Sequence, residues 1–367
     1  MDVLRERLSD SLRALGDVFA NPNLRRVELA SAGSVVAYWS YGVALAVFAY
    51  REGGPAAVGL LGLVRMLPSA FGAPFTALLG DRYPRQRVML GADVVSAVAV
   101  GVSAGAIAAD APAAIVFGLA GLVQLISTAS APARSALLPS LARSPEELTA
   151  ANVASTTIES VGSFAGPALA GILLAFADLA VVVGLTAGAF LWSALLVARI
   201  ATDPRPPRGR DDRDGLVREA LAGFRAIGAE PDLRLLVGLY AAQTFVAGAL
   251  SVLIVVMALE LLDLGEAGVG FLNSAIGVGG LLGAVAALAL VGRRRLVADF
   301  RLGLVLWGLP IVLVGVWPDP TLAVLFLAVL GAGNTIVDVA GLTLLQRAVE
   351  DRVLARVFGV FESLTWA

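Results

Sequence analysis

The chain contains no cysteine, no histidine and no lysine, and only 15% of its 367 residues are charged. Without cysteine it has no disulfide framework. Without histidine it lacks the commonest metal ligand and the usual general base, which excludes most metalloenzyme and catalytic-triad chemistry. The absence of lysine excludes the nucleotide-binding loop G-x-x-x-x-G-K-[ST], and therefore ATP-driven pumping by this chain. We expect no metal and no other cofactor.

Apolar residues are present in excess. They make up 58% of the chain, and the mean hydropathy is +0.84, whereas soluble domains are about 45–50% apolar. A helix that crosses a bilayer needs about 20 mainly apolar residues. Such segments are predicted at 27–50, 55–80, 86–109, 112–139, 148–176, 178–201, 234–262, 265–292, 298–318 and 320–346, and an eleventh begins near residue 353. The predicted class is an all-α integral membrane protein.

The arginines indicate how these segments are oriented. With the N-terminus in the cytoplasm, 25 of the 27 arginines fall on the cytoplasmic side, Arg51 falls outside, and Arg65 lies within the second segment. Cytoplasmic loops of membrane proteins carry such an excess of positive charge. The pattern predicts a multi-pass protein of the cell inner (plasma) membrane with a cytoplasmic N-terminus.

The chain also repeats itself. Val58-Gly59-Leu60-Leu61 has a counterpart in Val269-Gly270-Phe271-Leu272, and Glu159-Ser160 has one in Glu362-Ser363. Repeats of this kind are typical of transporters built from two halves. The plan is a cytoplasmic segment at 1–26, a six-helix half at 27–201, a cytoplasmic linker with an amphipathic helix at 202–233, and an incomplete second half at 234–367. About 10 to 11 of an expected 12 helices are present on this plan, so we expect a truncated C-terminus.

The basic turn after the second segment carries charges of both signs. It resembles motif A of the major facilitator superfamily, roughly G-x-x-x-D-R-x-G-R-[RK], which acts in gating. Asp81, Arg82 and Arg85 match that pattern, whereas Ala77 and Pro84 stand where it has glycine, and the next basic residue is displaced to Arg87. The gating residues that the resemblance implies are Gly80, Asp81, Arg82, Arg85 and Arg87. A simple basic cytoplasmic turn is the alternative interpretation.

The fifth segment carries closely spaced glycines around a proline: Gly162, Gly166, Pro167 and Gly171. Glycines four residues apart make a flat face for close helix contact, and proline frees a backbone carbonyl. The stretch resembles motif C of the drug–proton antiporters of the same superfamily, which implies export. An ordinary packing face of small residues is the alternative.

The resemblance extends over nearly the whole chain, and it is closest to the exporters similar to enterobactin and macrolide efflux proteins. The stretches that carry it include 21–26 and 132–139. It implies a two-half helical bundle that moves a small-molecule substrate by alternating access, with protons and membrane lipids as further partners, as a monomer and without nucleic acid. The motif B arginine is absent, because 115–124 contains no charge. Proton coupling through that residue is therefore not supported.

Ionisable side chains within a membrane are functional candidates. At about 1.5 Å per residue, Arg65 lies roughly 12–15 Å from the outer face and Glu159 about 16 Å from the inner face. Glu159 is the first candidate for proton coupling or cation binding, and a static Arg65–Glu159 pair is the alternative. We expect Asp93 and Asp338 to be structural partners of the arginine-rich turns.

Polar and aromatic residues also occur at mid-depth, where they could line a central cavity for an amphipathic substrate. These residues are Tyr38, Trp39, Gln124, Asn152, Gln243, Asn273 and Asn334. Each of them could instead serve only in packing or in a hydrogen bond between helices.

The sequence predicts a secondary active transporter, with proton-coupled efflux of a small amphipathic organic compound as the leading hypothesis. A lipid or siderophore exporter of the same fold and a transporter-derived membrane sensor or regulator are the alternatives. A membrane enzyme would need clustered acids or nucleophiles at one interface, and we find no such cluster in the sequence. We therefore predict that the protein is not an enzyme.

Overall fold

The structure is a computed structural model that describes residues 16, 18–200, 231–288 and 296–348. Within these ranges the side chains of 69–82, 231–233, 236, 287–288, 342 and 345–348 are not described. The amphipathic helix that the sequence predicts within the linker, at 214–228, and the predicted eleventh segment therefore lie outside the described residues.

The described residues form long helices joined by short breaks. In chain order these are α1 (Pro22–Arg82), α2 (Arg85–Ala108), α3 (Ala113–Leu141), α4 (Pro145–Phe176), α5 (Leu179–Val197), α6 (Pro231–Val256), α7 (Gly265–Leu288), α8 (Leu296–Val316) and α9 (Pro320–Ala348). Each of the ten predicted segments is confirmed as a helix, because α1 contains the first two. Nine helices in the described part of the chain are long and apolar enough to cross a membrane.

Helix α1 is interrupted where the sequence predicted a turn. A straight helix of its 61 residues would be about 90 Å long at 1.5 Å per residue, three times the thickness of the hydrocarbon core. Gly53 is extended and Gly54 has a φ of +62°, so both leave the helical region. A positive φ is readily available only to glycine. The break therefore divides α1 into two spans.

The starts of α1 and α4 are tied together by their capping residues. Ser144 caps α4 by accepting a hydrogen bond from the backbone N–H of Glu147, and Pro145 occupies the first turn. At the start of α1, the Asn21 side chain caps the helix by accepting from the backbone N–H of Asn23. Its amide nitrogen donates to Glu147 Oε1 at 3.0 Å and to the carbonyl of Leu141 at 3.0 Å. These contacts hold the start of α1 against the α3–α4 turn.

The chain divides into two compact units, so far as the structure describes them. The first comprises Met1–Phe48 and Leu63–Arg208, and the second comprises Ala49–Gly62 and Gly209–Ala367. In the first unit α2 packs against α3 and α5. In the second, α9 packs against both α7 and α8. Residues 202–230 of the predicted linker lie outside the described residues, so the division into halves there stays a prediction.

Small residues allow the helices of the second unit to approach closely. A β-carbon on Gly331 would collide with the backbone of Ile276, and one on Gly279 would collide with the backbone of Ala328. In membranes, where lipid removes the hydrophobic drive between helices, such close packing is a main source of association. Helix α6 ends in one π-helical turn, Met257–Leu261.

Candidate functional site

Three charged side chains from three helices meet in the first unit. Arg134 of α3 donates from one guanidinium nitrogen to Ser31 Oγ of α1 and from the other to Glu159 Oε1 of α4. Glu28 of α1 accepts from Ser155 Oγ at 2.8 Å. Arg134 and Glu159 are the charged neighbours of Glu28. We call Glu28, Ser31, Arg134, Ser155 and Glu159 the charged cluster.

The members of the charged cluster differ sharply in burial. Glu28 is fully buried at 0% exposure, and its Oε2 has no hydrogen-bond partner among the described residues. Arg134 is 8% exposed. The Glu159 side chain is 51% exposed. A guanidinium that is paired with the accessible carboxyl group of Glu159 and interacts electrostatically with the buried one of Glu28 can respond to a change of charge at either of them.

The structure assigns Glu159 a different partner from the one that the sequence suggested. The proposed static pair with Arg65 is wrong, because Glu159 pairs with Arg134. Arg134 had been counted among the cytoplasmic arginines, and it lies within α3, seven residues before its end. Glu28 was not considered as a site residue. The sequence did mark Arg134 and Glu28 as candidates, since each lies inside a predicted membrane segment, where an ionisable group is unusual.

Arg65 belongs to a second polar group in the first unit. Its guanidinium donates to Gln124 Oε1 at 2.9 Å and lies 5.6 Å from the centre of the Tyr38 ring. The Tyr38 hydroxyl donates to the same oxygen at 2.8 Å. Trp39 stands edge-on to the Tyr38 ring and is 42% exposed. Three of the predicted mid-depth residues are thus brought together around Arg65.

The glycines of α4 lie against α1. A β-carbon on Gly166 would lie 2.6 Å from Trp39 Cβ, and one on Gly162 would collide with Val35. The hydroxyl of Ser40 donates to the carbonyl of Gly166 at 2.8 Å. Pro167 and Gly171 are buried one and five residues further along α4. The motif C stretch therefore serves as a contact face between α4 and α1.

The motif A residues are only partly described. The backbone is helical through Gly80, Asp81 and Arg82, and their side chains lie outside the described part of the structure. Arg85 opens α2 and donates to the carbonyl of Ala136 in α3 at 2.8 Å. Arg87 is exposed. The basic turn is thus attached to α3 through Arg85.

Asp93 and Asp338 are bound by neutral side chains in the described part of the chain. Their pairing with the arginine-rich turns stays a prediction, because the side chains of Arg82, Arg347 and the arginines at 293–295 are not described there. Asp93 accepts hydrogen bonds from Ser34 Oγ at 3.2 Å and from Ser193 Oγ at 2.6 Å. Asp338 accepts from Asn334 Nδ2 at 2.9 Å. Each carboxyl group is thus bound by neutral donors, from α1 and α5 for Asp93 and from the preceding turn of α9 for Asp338.

The remaining predicted residues lie at separate places. In the second unit Gln243 of α6 donates to Asn334 Oδ1 of α9 at 2.9 Å. Asn273 donates to the carbonyl of Val269 in its own helix. In the first unit Asn152 is exposed, and its carbonyl accepts from Thr156. No three carboxylates, cysteines or histidines form a metal-binding group in the described part of the chain.

An apolar cleft lies between α1 and α4, beside the charged cluster. Its volume is about 170 Å³, and it is lined by Ala32, Val36, Thr157, Ile158, Val161 and Gly162. Ala32 and Val36 follow Glu28 at intervals of four residues, so the three share one face of α1. The cleft thus continues along the helix face that carries the buried carboxyl group.

Comparisons with known proteins agree with this architecture. The pattern that describes the Major Facilitator Superfamily matches residues 28–367. An uncharacterized MFS-type transporter of Sinorhizobium fredii is 28% identical over 372 residues, 97% of this chain and 87% of that protein. The enterobactin exporter of Shigella boydii is 28% identical over 351 residues, 93% and 81% respectively.

Among solved structures, a nucleoside transporter, NupG, superposes with a TM-score of 0.78 at 12% identity, covering 94% of this chain and 88% of that one. A bacterial homologue of the lysosomal transporter Spinster gives a TM-score of 0.62 at 14% identity, with 93% and 79% covered. The resemblance noted in the sequence is thereby confirmed, and the chain belongs to the Major Facilitator Superfamily, a family of membrane transporters.

Proposed function

We propose that the chain is a secondary transporter that exports small amphipathic organic compounds in exchange for protons. The observation that carries this proposal is the charged cluster, in which the buried carboxyl group of Glu28 and the accessible one of Glu159 flank a single arginine. The family supports transport, and the enterobactin exporters among the relatives support the outward direction.

Burial favours a proton on Glu28 in this arrangement. An isolated ionised carboxylate is very unfavourable in an apolar interior unless it is paired. Glu28 has one hydroxyl donor at Oε1 and none at Oε2. Arg134, the cation that acts on Glu28, directs its two described hydrogen bonds to Ser31 and Glu159 and none to Glu28. A neutral Glu28 and an ionised Glu159 are therefore the charge states that fit the observed contacts.

Release of that proton would change the partner of Arg134. The new carboxylate at Glu28 would attract the guanidinium, and Glu159 would then lose its cation. Because Glu159 is half exposed, it can take up a proton from water or receive a positively charged group. Glu28 thus loses a proton, and Glu159 gains a proton or a positively charged group in its place. This exchange couples the charge of the cluster to the position of Arg134.

The cleft and its neighbours support the proposed substrate class. An apolar cleft with a few polar groups suits an amphipathic compound, and the cleft between α1 and α4 continues from the charged cluster. The group formed by Tyr38, Arg65 and Gln124 offers polar contacts on the same helices. A siderophore exporter is the second candidate, favoured by the 28% identity to enterobactin exporters.

We also propose that the protein acts as a monomer in the inner membrane, with its N-terminus in the cytoplasm, and catalyses no reaction. The arginine distribution supports the orientation, because 24 of the 27 arginines lie on the cytoplasmic side even when Arg134, which is buried within α3, is left out of the 25 counted from the sequence. The charged cluster, rather than a cofactor, would supply the coupling.

The test is transport by the full chain in proteoliposomes with an imposed pH gradient. Enterobactin, erythromycin and rhodamine 123 are the probes, and movement of protons is followed with a pH-sensitive dye. We expect gradient-driven movement of at least one probe, with loss of proton coupling in Glu28→Gln and Glu159→Gln. Glu52→Gln is the matched control, since Glu52 is exposed and lies outside the cluster. Unchanged coupling in both cluster variants, or no transport under any gradient, would refute the proposal.

A further inference from the structure

A chain of three polar side chains crosses from α9 to α6 in the second unit. Asn334 Nδ2 donates to Asp338 Oδ2 at 2.9 Å, and Gln243 Nε2 donates to Asn334 Oδ1 at 2.9 Å. Asp338 is exposed, whereas Gln243 is only 9% exposed. At the buried end, Gln243 Oε1 has no hydrogen-bond partner among the described residues. We call Asp338, Asn334 and Gln243 the amide relay.

The direction of the amide relay follows from the chemistry of its exposed end. Asn334 turns its NH₂ group towards Asp338, which is the orientation that an ionised carboxylate requires, because it can only accept hydrogen bonds. Its carbonyl then faces Gln243, which must donate in turn. Gln243 is left with its carbonyl oxygen at the far end. Hydrogen bonds in a chain polarise one another, so the charge of Asp338 strengthens Gln243 Oε1 as an acceptor.

The neighbouring titratable group does not satisfy this oxygen. Tyr240, one turn before Gln243 on α6, donates its hydroxyl to the carbonyls of Val337 at 2.8 Å and of Asp338 at 3.4 Å. A buried acceptor without a donor destabilises a protein, and the great majority of buried polar atoms are paired. The unpaired Gln243 Oε1 stands at the end of a chain of directed hydrogen bonds, which suggests that a ligand supplies the missing donor.

We propose that Gln243 Oε1 is a subsite for a positively charged N–H group of the transported compound. This inference rests on the proposed transport function and deepens it by naming the chemical group that is recognised. An acceptor polarised by a carboxylate favours a charged donor, because hydrogen bonds with an ionised partner are about twice as strong as neutral ones. A bound water molecule is the other occupant that the test must exclude.

The first arm of the test measures stability of the full chain in detergent without substrate. Gln243→Met removes the unpaired oxygen and leaves Asn334 Oδ1 to water, since Asn334 is half-buried. We expect an unchanged or higher Tm. Gln124→Met is the matched comparison, because Gln124 Oε1 accepts two hydrogen bonds, and its Tm should fall. A fall in Gln243→Met of the same size would mean that water or another donor already satisfies the oxygen, and the proposal would be wrong.

The second arm compares two dyes that have the same rhodamine core, methyl ester and charge. Rhodamine 123 carries N–H groups on its cationic chromophore, and tetramethylrhodamine methyl ester carries none. We expect rhodamine 123 to bind about tenfold more tightly to the wild-type chain, and Gln243→Met to abolish that difference without weakening the methylated dye.

Equal affinities for the two dyes in the wild-type chain, or binding of neither, would overturn the subsite. So would a difference between the dyes that survives in Gln243→Met. Gradient-driven export of any probe in proteoliposomes would leave the transport proposal standing in each of these cases, so the two proposals fail separately.

Discussion

Replacing Glu28 with glutamine should leave the stability of the protein almost unchanged while it removes proton coupling. The glutamine carbonyl can keep the 2.8 Å hydrogen bond from Ser155. Its NH₂ group would occupy the place of Oε2, which already lacks a partner. Since the number of unpaired buried atoms stays the same, we expect the free energy of unfolding to change by less than about 1 kcal/mol.

The size of the change in the free energy of unfolding on Glu28→Gln distinguishes a neutral from an ionised Glu28. If Glu28 were ionised and balanced by Arg134, the glutamine variant would leave a buried guanidinium with one of its two carboxylates missing. Removing one partner of a buried ion pair costs about 3–5 kcal/mol. The two charge states therefore predict changes that differ by several kcal/mol, which is larger than the error of most unfolding measurements.

Arg134→Met is the comparison that calibrates this result. It removes the donor to Ser31 and Glu159 from a site that is 8% exposed. Because Glu159 is half exposed, water can replace part of the lost contact, so we expect a loss of about 1–3 kcal/mol. The Arg134→Met/Glu159→Gln double variant should recover part of that loss, as expected for residues in direct contact.

The assay is unfolding of the purified full chain in dodecyl maltoside, titrated with SDS and followed by far-UV circular dichroism, alongside proton uptake in proteoliposomes. Glu52→Gln controls for loss of a surface carboxylate. A loss of 3 kcal/mol or more in Glu28→Gln would refute the neutral state of Glu28. Full proton coupling in a stable Glu28→Gln protein would refute its role in transport.

Two further predictions concern the helix contacts. Gly166→Ala should lower the Tm strongly, because its β-carbon would lie 2.6 Å from Trp39 Cβ. Gly59→Ala is the control and should be tolerated, since nothing lies within 4 Å of that position. Equal Tm values for the two variants would contradict the close α1–α4 contact. Arg51 pairs with Glu266 through two hydrogen bonds of 2.5 and 2.7 Å, with side chains 51% and 27% exposed. Reversing either charge alone should lower the free energy of unfolding by about 1 kcal/mol or less, and reversing both should restore the Tm. Additive losses of stability in the double variant would exclude the pair.

The positions of the helices could be predicted because each depends on a local property. An apolar run of about 20 residues has no stable place in water, and in lipid its backbone must form a helix. Gly53 and Gly54 marked the break in α1 for a similarly local reason, since both leave the helical region and the positive φ of Gly54 is readily available only to glycine. The glycines at 162 and 166 were likewise expected at a helix contact, and they lie against α1.

The partners of the charged side chains could not be predicted in the same way. Depth in the membrane suggested that Arg65 and Glu159 lie at a similar level, but depth is only one coordinate. Residues that follow one another on a helix point about 100° apart, so the rotation of each helix decides which side chains meet. Arg65 points to Tyr38 and Gln124, and Glu159 points to Arg134.

The sequence by itself determined that this is a polytopic helical membrane protein, whose ten predicted segments lie in the nine helices of the described part, and it identified the family through motifs that are local in the chain. Only the tertiary structure decided that Glu28, Arg134 and Glu159 form one cluster and that Gln243 ends an amide relay. The hydropathy of a segment depends only on the residues of that segment, so it can be calculated without knowing which other helices pack against it. The pairing of buried polar groups depends on three helices at once, through their rotation and the small residues that set their separation.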